Sequence, residues 1–357
     1  MSYFLAFMGF VALIVLHEAG HFTAAKMVGM RVERFSLFFG PLLLRFKRGE
    51  TEYGIGPIPL GGYVRISGMN PREELPPEVV PRAYYNQPVW KRIFVILAGP
   101  FVNLVIAFVI VWALFLSNGQ TVGSTRVQTV SLHAPATHVL RPGDQLVSID
   151  GVTGSEDKLR NQLATHVCAG TQSNGCVAAT PARIVVKRDG QLRTFEIRPK
   201  YSSADHRPLV GFAFGSTQQS IGAVNAASLT VTGMWHVTTQ TVSVLARIFE
   251  PKERKQVSGV VGAYVVTQQS FAASTTMALE ILALISLSLA VVNLFPFLPL
   301  DGGHVFWAVA EKVRGKRIPF EVMERAGVVG FVLIVMLFAI GLSNNISTLT
   351  GSGFNVH

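Results

Sequence analysis

The sequence predicts a polytopic α-helical membrane protein with about four transmembrane helices and an α+β domain inserted between the second helix and the third. Two observations support this fold class. Only 15% of the 357 residues are charged while 49% are hydrophobic, and the mean hydropathy of +0.40 argues against a soluble enzyme. Residues 93–116 contain no charged side chain, and at about 1.5 Å per residue this run can cross a hydrocarbon core about 30 Å thick.

Four segments qualify as membrane spans, and only two of them are plain apolar runs. They cover residues 3–25, 93–116, 277–300 and 326–342. The first span contains three ionisable side chains and the third is interrupted by two prolines, so both need a functional explanation. A cleaved signal peptide is the alternative for residues 1–25. That stretch lacks a basic start and a small-residue cleavage site ahead of its polar cluster, so we expect a retained helix.

The distribution of positive charge predicts the orientation. The formal net charge is +10, which is compatible with either nucleic acid or an anionic membrane as the partner. The apolar spans favour the lipid bilayer, and we expect no nucleic acid. Residues 31–92 and 302–325 hold the loop Lys and Arg residues, whereas none precedes residue 3 or follows residue 342. Because this excess lies on the cytoplasmic side, we expect both termini and the inserted domain to lie outside the inner membrane.

The chain between the second and third spans divides into a domain and a linker. Residues 119–215 read as a small α+β domain, in which Asp189-Gly190 lies between two strand-like runs and supplies the positive φ angles of a hairpin turn. Residues 216–275 form the linker. We expect an amphipathic helix there on the membrane surface, with a helix packed between the domain and the third span as the alternative. Residues 1–118 and 276–357 hold the two pairs of spans.

The pattern His-Glu-x-x-His in the first span predicts a catalytic zinc site. His17 and His21 are four residues apart and so share one helix face, while Glu18 borders the same site. Two imidazoles and a carboxylate leave one tetrahedral position for water, whose pKa falls to about 7 on zinc, so that Glu18 can take its proton. The alternative is a chance match, with both histidines hydrogen-bonded in a polar helix seam.

A third ligand is needed, and Asp301 is the candidate. It follows the disrupted part of the third span, where Pro296 and Pro299 free backbone groups that a membrane tolerates only around a polar cavity. The alternative for Asp301 is an N-cap or turn at the membrane edge, and we interpret His304 as an interfacial residue. Asn293 could donate a hydrogen bond to the substrate backbone or the developing oxyanion, or could simply pack between helices.

Two other function classes stay open at this point. A metal transporter or channel would use intramembrane His and Asp residues as a transit site, but the spans lack a ladder of further polar residues. A non-catalytic scaffold would only present the inserted domain to partners. The complete set of His17, Glu18, His21 and Asp301 argues against that class.

Taken together, these motifs resemble those of the site-2 protease family of intramembrane zinc metalloproteases. The resemblance covers most of the chain. Besides the histidine motif and residues 293–303, Gly-Pro-Phe-Val-Asn at 99–103 matches the family's second-span motif. Residues 54–69 look like its membrane-associated β-hairpin. Residues 140–151 resemble the ligand loop of a bacterial PDZ domain, which makes the inserted domain PDZ-like.

The family implies a zinc metalloendopeptidase with His17, His21 and Asp301 as ligands and Glu18 as the base. Its substrates would be single-span membrane proteins already shortened by an upstream, site-1 type protease, such as anti-sigma factors or remnant signal peptides. The PDZ-like domain could capture a C-terminal carboxylate through backbone amides near residues 141–144, or could act as a steric gate.

Further contacts are predicted around this centre. The β-edge at Gly61, Gly62 and Tyr63 could pair with an unwound substrate, with an ordinary cytoplasmic hairpin as the alternative. Asn103 could contact substrate or pack between helices. Two cysteines are too few for a disulfide scaffold. We nevertheless expect Cys168 and Cys176 to be bridged in the oxidising compartment, with free thiols as the alternative.

Overall fold

The computed structural model describes residues 1–132, 134–248, 250 and 259–350. It forms two compact units, one made of Met1–Leu114 with Ala223–His357 and one made of Phe115–Gly222. Within the described ranges, four helices are long and apolar enough to cross a membrane. The helices are α1 Ser2–Met27, α2 Val89–Asn118, α3 Glu156–Ala164, α4 Ala223–Ala246, α5 Val260–Ala273, α6 Thr275–Asn293, α7 Asp301–Arg314 and α8 Phe320–Thr350.

The third and fourth spans differ from the predicted ranges. The helix α6 ends at Asn293 instead of continuing to residue 300, and α7 starts anew at Asp301. Pro296 and Pro299 explain this break, because proline lacks an N–H donor and clashes with the preceding turn. The helix α8 extends beyond residues 326–342 at both ends, since an apolar run does not mark the polar turns of a helix.

A four-stranded sheet follows α1. Its strands are β1 Val32–Phe39, β2 Leu44–Arg48, β3 Thr51–Ile55 and β4 Ile58–Ile66, in the order β2-β3-β1-β4. The predicted hairpin at residues 54–69 is therefore wrong, because β1 lies between β3 and β4, parallel to the former and antiparallel to the latter. The hairpin is β2–β3. A local turn signal does not reveal that a third strand separates its two flanks.

The sheet is anchored where α1 ends and α2 begins. Ala24, Ala25, Val32, Val95 and Ile96 are buried in one cluster that joins these three elements. Nearby, the Glu50 carboxylate accepts hydrogen bonds from Lys26 Nζ and from Arg82 Nη1 and Nη2, each at 2.8 Å.

This arrangement of charges has an electrostatic consequence. The Arg82 guanidinium, with Lys26, lowers the pKa of Glu50 to about 2. The end of the histidine-bearing helix is thereby tied to the β2–β3 turn.

The linker segment contains two helices, α4 and α5. Met234 and Val237 of α4 pack on a cluster formed by Ala107 of α2 with Leu287 and Val291 of α6. This is the packed helix that was the alternative for the linker, and a position on the membrane surface stays a prediction. Residues 249 and 251–258 of the predicted linker lie outside the described residues.

In its described residues, the inserted unit is a β-domain with one helix, α3. The strands are β5 Gln120–Val130, β6 Gln145–Ile149, β7 Val152–Thr153, β8 Ala182–Arg188, β9 Gln191–Ile197, β10 Lys200–Ser202, β11 Arg207–Leu209 and β12 Phe212–Gln219. The main sheet has the order β12-β5-β6-β8-β9, with β7 paired to β6. The predicted turn at Asp189-Gly190 joins β8 to β9, with φ angles of 51° and 82°. Cys168 and Cys176 are disulfide-bonded in the structure.

The predicted carboxylate site at residues 141–144 is wrong. The Arg141 N–H donates to Asp144 Oδ2 at 2.8 Å, Gly143 N–H to Val127 O at 2.8 Å, and Asp144 N–H to Arg141 O at 3.1 Å. Pro142 has no N–H. The backbone donors of this turn are therefore already used, and they stabilise the turn itself. A motif resemblance does not reveal which amides are already bonded.

Asp144 and Arg188 form a buried ion pair within this domain. The Arg188 guanidinium donates to both carboxylate oxygens of Asp144, at 2.7 and 2.6 Å. The Arg188 side chain is 9% exposed and the Asp144 side chain 2%. Burial would raise the pKa of Asp144, but the guanidinium and the Arg141 amide outweigh it and hold that pKa below its usual range. The pair therefore contributes stability above the unfolded pKa of about 3.9, and loses it as the pH falls through the lower folded pKa.

We expect Asp144→Asn to destabilise the inserted domain by about 3–5 kcal/mol, because it leaves the Arg188 charge buried without its partner. Hydrogen exchange of the full chain at neutral pH, followed on peptides covering β6 and β8, measures this effect. Asp189→Asn in the adjacent exposed turn is the matched control and should leave exchange unchanged. Equal protection in both variants would contradict the assignment.

Candidate metal centre

The helix α1 places both histidines on one buried face. His17 and His21 lie one turn apart and are 6% and 7% exposed. The Nε2 atoms of the two rings are 3.3 Å apart, and each lies 3.3 Å from Asp301 Oδ2. The three predicted ligands are therefore brought together from two separate helices, α1 and α7.

The spacing of these three atoms fits zinc. Two zinc bonds of about 2.05 Å that meet at the tetrahedral angle hold their ligand atoms about 3.3 Å apart. The His21 Nδ1–H donates to Val95 O at 2.9 Å, so that the Nε2 of the neutral ring presents a lone pair to the centre. Asp301 Oδ2 is buried and has no hydrogen-bond partner in the part of the chain that the structure describes. Lone pairs that converge on one buried point repel one another unless a cation lies between them.

Two glycines account for the position of Asp301. A Cβ on Gly302 would lie 2.2 Å from Leu294 O, and a Cβ on Gly303 would lie 2.5 Å from Leu298 N. Residues with a side chain at these two positions would therefore prevent the first turn of α7 from lying against the irregular segment after α6. Asp301 makes no side-chain cap bond, and its carboxylate faces the histidines. The N-cap alternative does not describe this arrangement.

The helix α2 supports the site from behind. A Cβ on Gly99 would lie 2.2 Å from His21 Nε2, so this glycine makes room for the imidazole. Asn103 is fully buried, and its Nδ2 lies 3.2 Å from His17 Nδ1. This position favours the alternative that Asn103 packs between helices, and the contact with substrate stays a prediction. The role of Gly99 was missed from sequence, although it lies in the second-span motif.

The remaining predicted residues lie around the centre on α1, β4 and α6. Glu18 is half-buried, and a Cβ on Gly62 of β4 would lie 3.0 Å from its Cγ. Asn293, the last residue of α6, places Nδ2 3.4 Å from His17 Nε2. Gly61 adjoins Gly62 and has a φ of 155°.

Tyr63 has a different environment. Its side chain is engaged within the sheet, where it accepts a hydrogen bond from Arg34 Nη1 at 3.1 Å and stacks on Phe39. A contact of substrate with this residue stays a prediction.

One ion pair that sequence reasoning missed holds α7 against α2. Arg92 donates to Glu311 through Nη2 at 2.9 Å and Nη1 at 3.0 Å, and its guanidinium lies 5.9 Å from the centre of the Tyr84 ring. Because Asp301 begins α7 and Glu311 is on the same helix, this pair helps to set the position of the carboxylate ligand. The signal in the sequence was the position of Arg92 directly before an apolar span, because a buried arginine needs a partner for its charge.

The profile of peptidase family M50 matches residues 5–337. The chain belongs to peptidase family M50, the site-2 protease family. It is similar to the zinc metalloprotease Rip1 of Mycobacterium tuberculosis, with 32% identity over 84% of this chain and 83% of the relative. Relatives from Clostridium acetobutylicum and Campylobacter jejuni also have names of zinc metalloproteases. The Clostridium acetobutylicum relative is 29% identical over 95% of this chain and 96% of its own length. The Campylobacter jejuni relative is 25% identical over 95% of this chain and 91% of its own length.

Family membership gives the coarse function of the chain. It is a multi-pass intramembrane metallopeptidase with zinc as cofactor, and it acts on membrane proteins within a lipid bilayer. The predicted family and the predicted cofactor are confirmed. The transporter and the non-catalytic scaffold lose their support, since neither would explain similarity to proteases along the whole chain.

We expect Gly99→Ala to abolish stable zinc binding, because the added Cβ would overlap the imidazole of His21. Metal analysis of the protein purified in detergent should show at least a tenfold lower zinc content, the scale on which metal sites respond to a displaced ligand. Gly233→Ala in α4 is the matched control, since nothing lies within 4 Å of its added Cβ. Full zinc content in Gly99→Ala would contradict the geometry.

We expect Glu311→Gln to loosen α7, because it leaves the Arg92 charge largely buried without a counter-charge, at a cost of about 3–5 kcal/mol. The thermal unfolding midpoint should fall, and zinc should dissociate faster into excess chelator. Glu324→Gln is the control, because Glu324 is exposed and pairs with exposed Arg72 at 3.7 Å. Equal effects of the two substitutions would show that the buried pair has no special role.

Proposed function

We propose that the chain is a zinc metalloendopeptidase that cleaves the transmembrane segment of single-span membrane proteins after another protease has shortened them. The observation that carries this proposal is the triangle of three ligand atoms, 3.3 Å apart, formed by two histidines of the candidate span α1 and by Asp301 at the start of α7, with Glu18 next to His17. Anti-sigma factors and remnant signal peptides are the substrate classes that the family resemblance implies.

His17, His21 and Asp301 would hold the zinc, and Glu18 would act as general base. When bound, the metal supplies Lewis-acid chemistry, polarising the scissile carbonyl and lowering the pKa of a water molecule. Glu18 takes the proton from the attacking water and passes it to the leaving amide nitrogen. Glu18 is half-buried and lies next to His17 on α1, so it borders the proposed zinc site.

Asn293 would steady the substrate. Its amide lies beside His17 at the end of α6, where the helix stops and irregular backbone begins. A side-chain N–H in this place can donate to the substrate carbonyl as negative charge develops on the oxygen. The helix-packing alternative is disfavoured because the side chain is partly exposed.

The strand β4 would bind the substrate backbone. A peptide bond in a helix is protected because its carbonyl is hydrogen-bonded along the helix, so cleavage needs local unwinding. Within the described sheet β4 pairs only with β1, which leaves its second edge without a strand partner. Gly62 lies against Glu18, so an extended peptide added to this edge would run past the base.

The inserted domain would act as a gate rather than as a carboxylate receptor. The used amides at residues 141–144 support this choice, since they cannot bind a chain terminus. In this role the domain would exclude membrane proteins with bulky external parts, which explains the need for an upstream, site-1 type protease. We keep the orientation derived from charge, with the domain and both termini outside the inner membrane.

Glu18→Gln tests this proposal. We expect cleavage of a short transmembrane substrate in detergent to fall by roughly 10²–10⁴-fold, the usual contribution of a general base, while zinc stays bound. Glu280→Gln, an exposed position on α6, should cleave as wild type does. Unchanged cleavage by Glu18→Gln would exclude Glu18 as the base, and failure of wild-type protein to cleave any single-span substrate would overturn the proposal.

A further inference from the structure

Asn103 has an unusual environment for a buried amide. The residue is 0% exposed, its Nδ2 lies 3.2 Å from His17 Nδ1, and its Oδ1 is buried with no hydrogen-bond partner among the described residues. A buried amide oxygen without a donor is unfavourable, because it has lost its hydrogen bonds to water and gained none in the protein. The contact that Asn103 does make is to a zinc ligand of the proposed function.

The chemistry of His17 decides which end of this amide should face it. A neutral histidine that binds metal through Nε2 carries its proton on Nδ1, and this N–H needs an acceptor. His21 meets this requirement, because its Nδ1–H donates to Val95 O at 2.9 Å. At His17 the facing atom would be Nδ2, which is also a donor. Two donors cannot form a hydrogen bond with each other.

We propose that Asn103 presents Oδ1 to the Nδ1–H of His17, and is thereby the positioning residue that orients this ligand for zinc. The inference rests on the proposed function. A half-turn of the side-chain amide exchanges its two ends without moving any other atom. It replaces the contact between two donors with a hydrogen bond and gives the unpartnered Oδ1 a donor.

The spacing on α2 agrees with this role. Gly99 and Asn103 are four residues apart, as are His17 and His21 on α1, so each pair lies on one face of its helix. Gly99 makes room for His21 while Asn103 supports His17. The two positions of the second-span motif therefore each serve one of the two histidines.

A second hydrogen bond holds Asn103 in place. The Ser286 hydroxyl of α6 donates to the Asn103 backbone O at 2.9 Å, and both residues are 0% exposed. The same helix ends in Asn293, which also contacts His17. Asn103 thus joins α1, α2 and α6 around the His17 ring.

Zinc competition with a fluorescent chelator, on full-length protein in detergent, separates the two amide orientations. Asn103→Asp keeps an acceptor and should bind zinc at least as tightly as wild type. Asn103→Leu has a similar size but no acceptor, and its zinc affinity should fall by roughly 10- to 100-fold. Asn118→Leu, at the exposed end of α2, is the control and should bind as wild type does.

Three results would overturn the proposal. One is wild-type zinc affinity in Asn103→Leu. Another is weaker binding by Asn103→Asp than by Asn103→Leu, which would mean that an acceptor opposes His17. The last is a combined result, in which zinc-free Asn103→Leu unfolds at a lower temperature than wild type but binds zinc as tightly. This result would mean that Asn103 has a purely structural role. His17→Ala is measured alongside, since zinc retained in that variant would instead overturn the ligand set of the proposed function.

Discussion

Three lone-pair atoms that face one buried point are the constraint on which the membrane unit depends. Two imidazole nitrogens and a carboxylate oxygen, 3.3 Å apart, would destabilise a bundle of apolar helices without a cation between them. Much of the local packing brings these atoms together. Gly20, where a Cβ would lie 2.6 Å from Ala98 O, and Gly99 let α1 and α2 approach closely. Gly302 and Gly303 do the same for α7.

The interruption of the third span connects this centre to its substrate. A helix that continued to residue 300 would satisfy its own backbone and offer nothing to a bound peptide. Because α6 stops at Asn293 and α7 restarts at Asp301, irregular backbone lies beside the zinc ligands. Membranes tolerate such backbone only where it is buried in protein or lines a polar cavity. The same break supplies one proposed ligand and one proposed substrate contact.

The three residues of the candidate metal centre were predictable because their signals are local or chemically demanding. The four-residue spacing of His17 and His21 implies one helix face, and a third ligand was needed from a disrupted span. Long-range pairing was not predictable. Nothing in residues 54–69 shows that β1 separates the two flanking strands, and the bond between Arg92 and Glu311 joins positions 219 residues apart. The sequence left two roles open for Asn103, because a polar residue in a motif can contact substrate or pack between helices, and its complete burial beside a histidine favours packing.

X-ray absorption at the zinc edge, on the purified protein in detergent, tests the central claim most directly. The account predicts one zinc per chain with two imidazole nitrogens and at least one carboxylate oxygen at about 2.0–2.2 Å, and no sulfur in its coordination shell. The signal of one imidazole should disappear when either His17 or His21 is replaced. A spectrum with sulfur ligands, or one that the loss of these histidines leaves unchanged, would contradict the account.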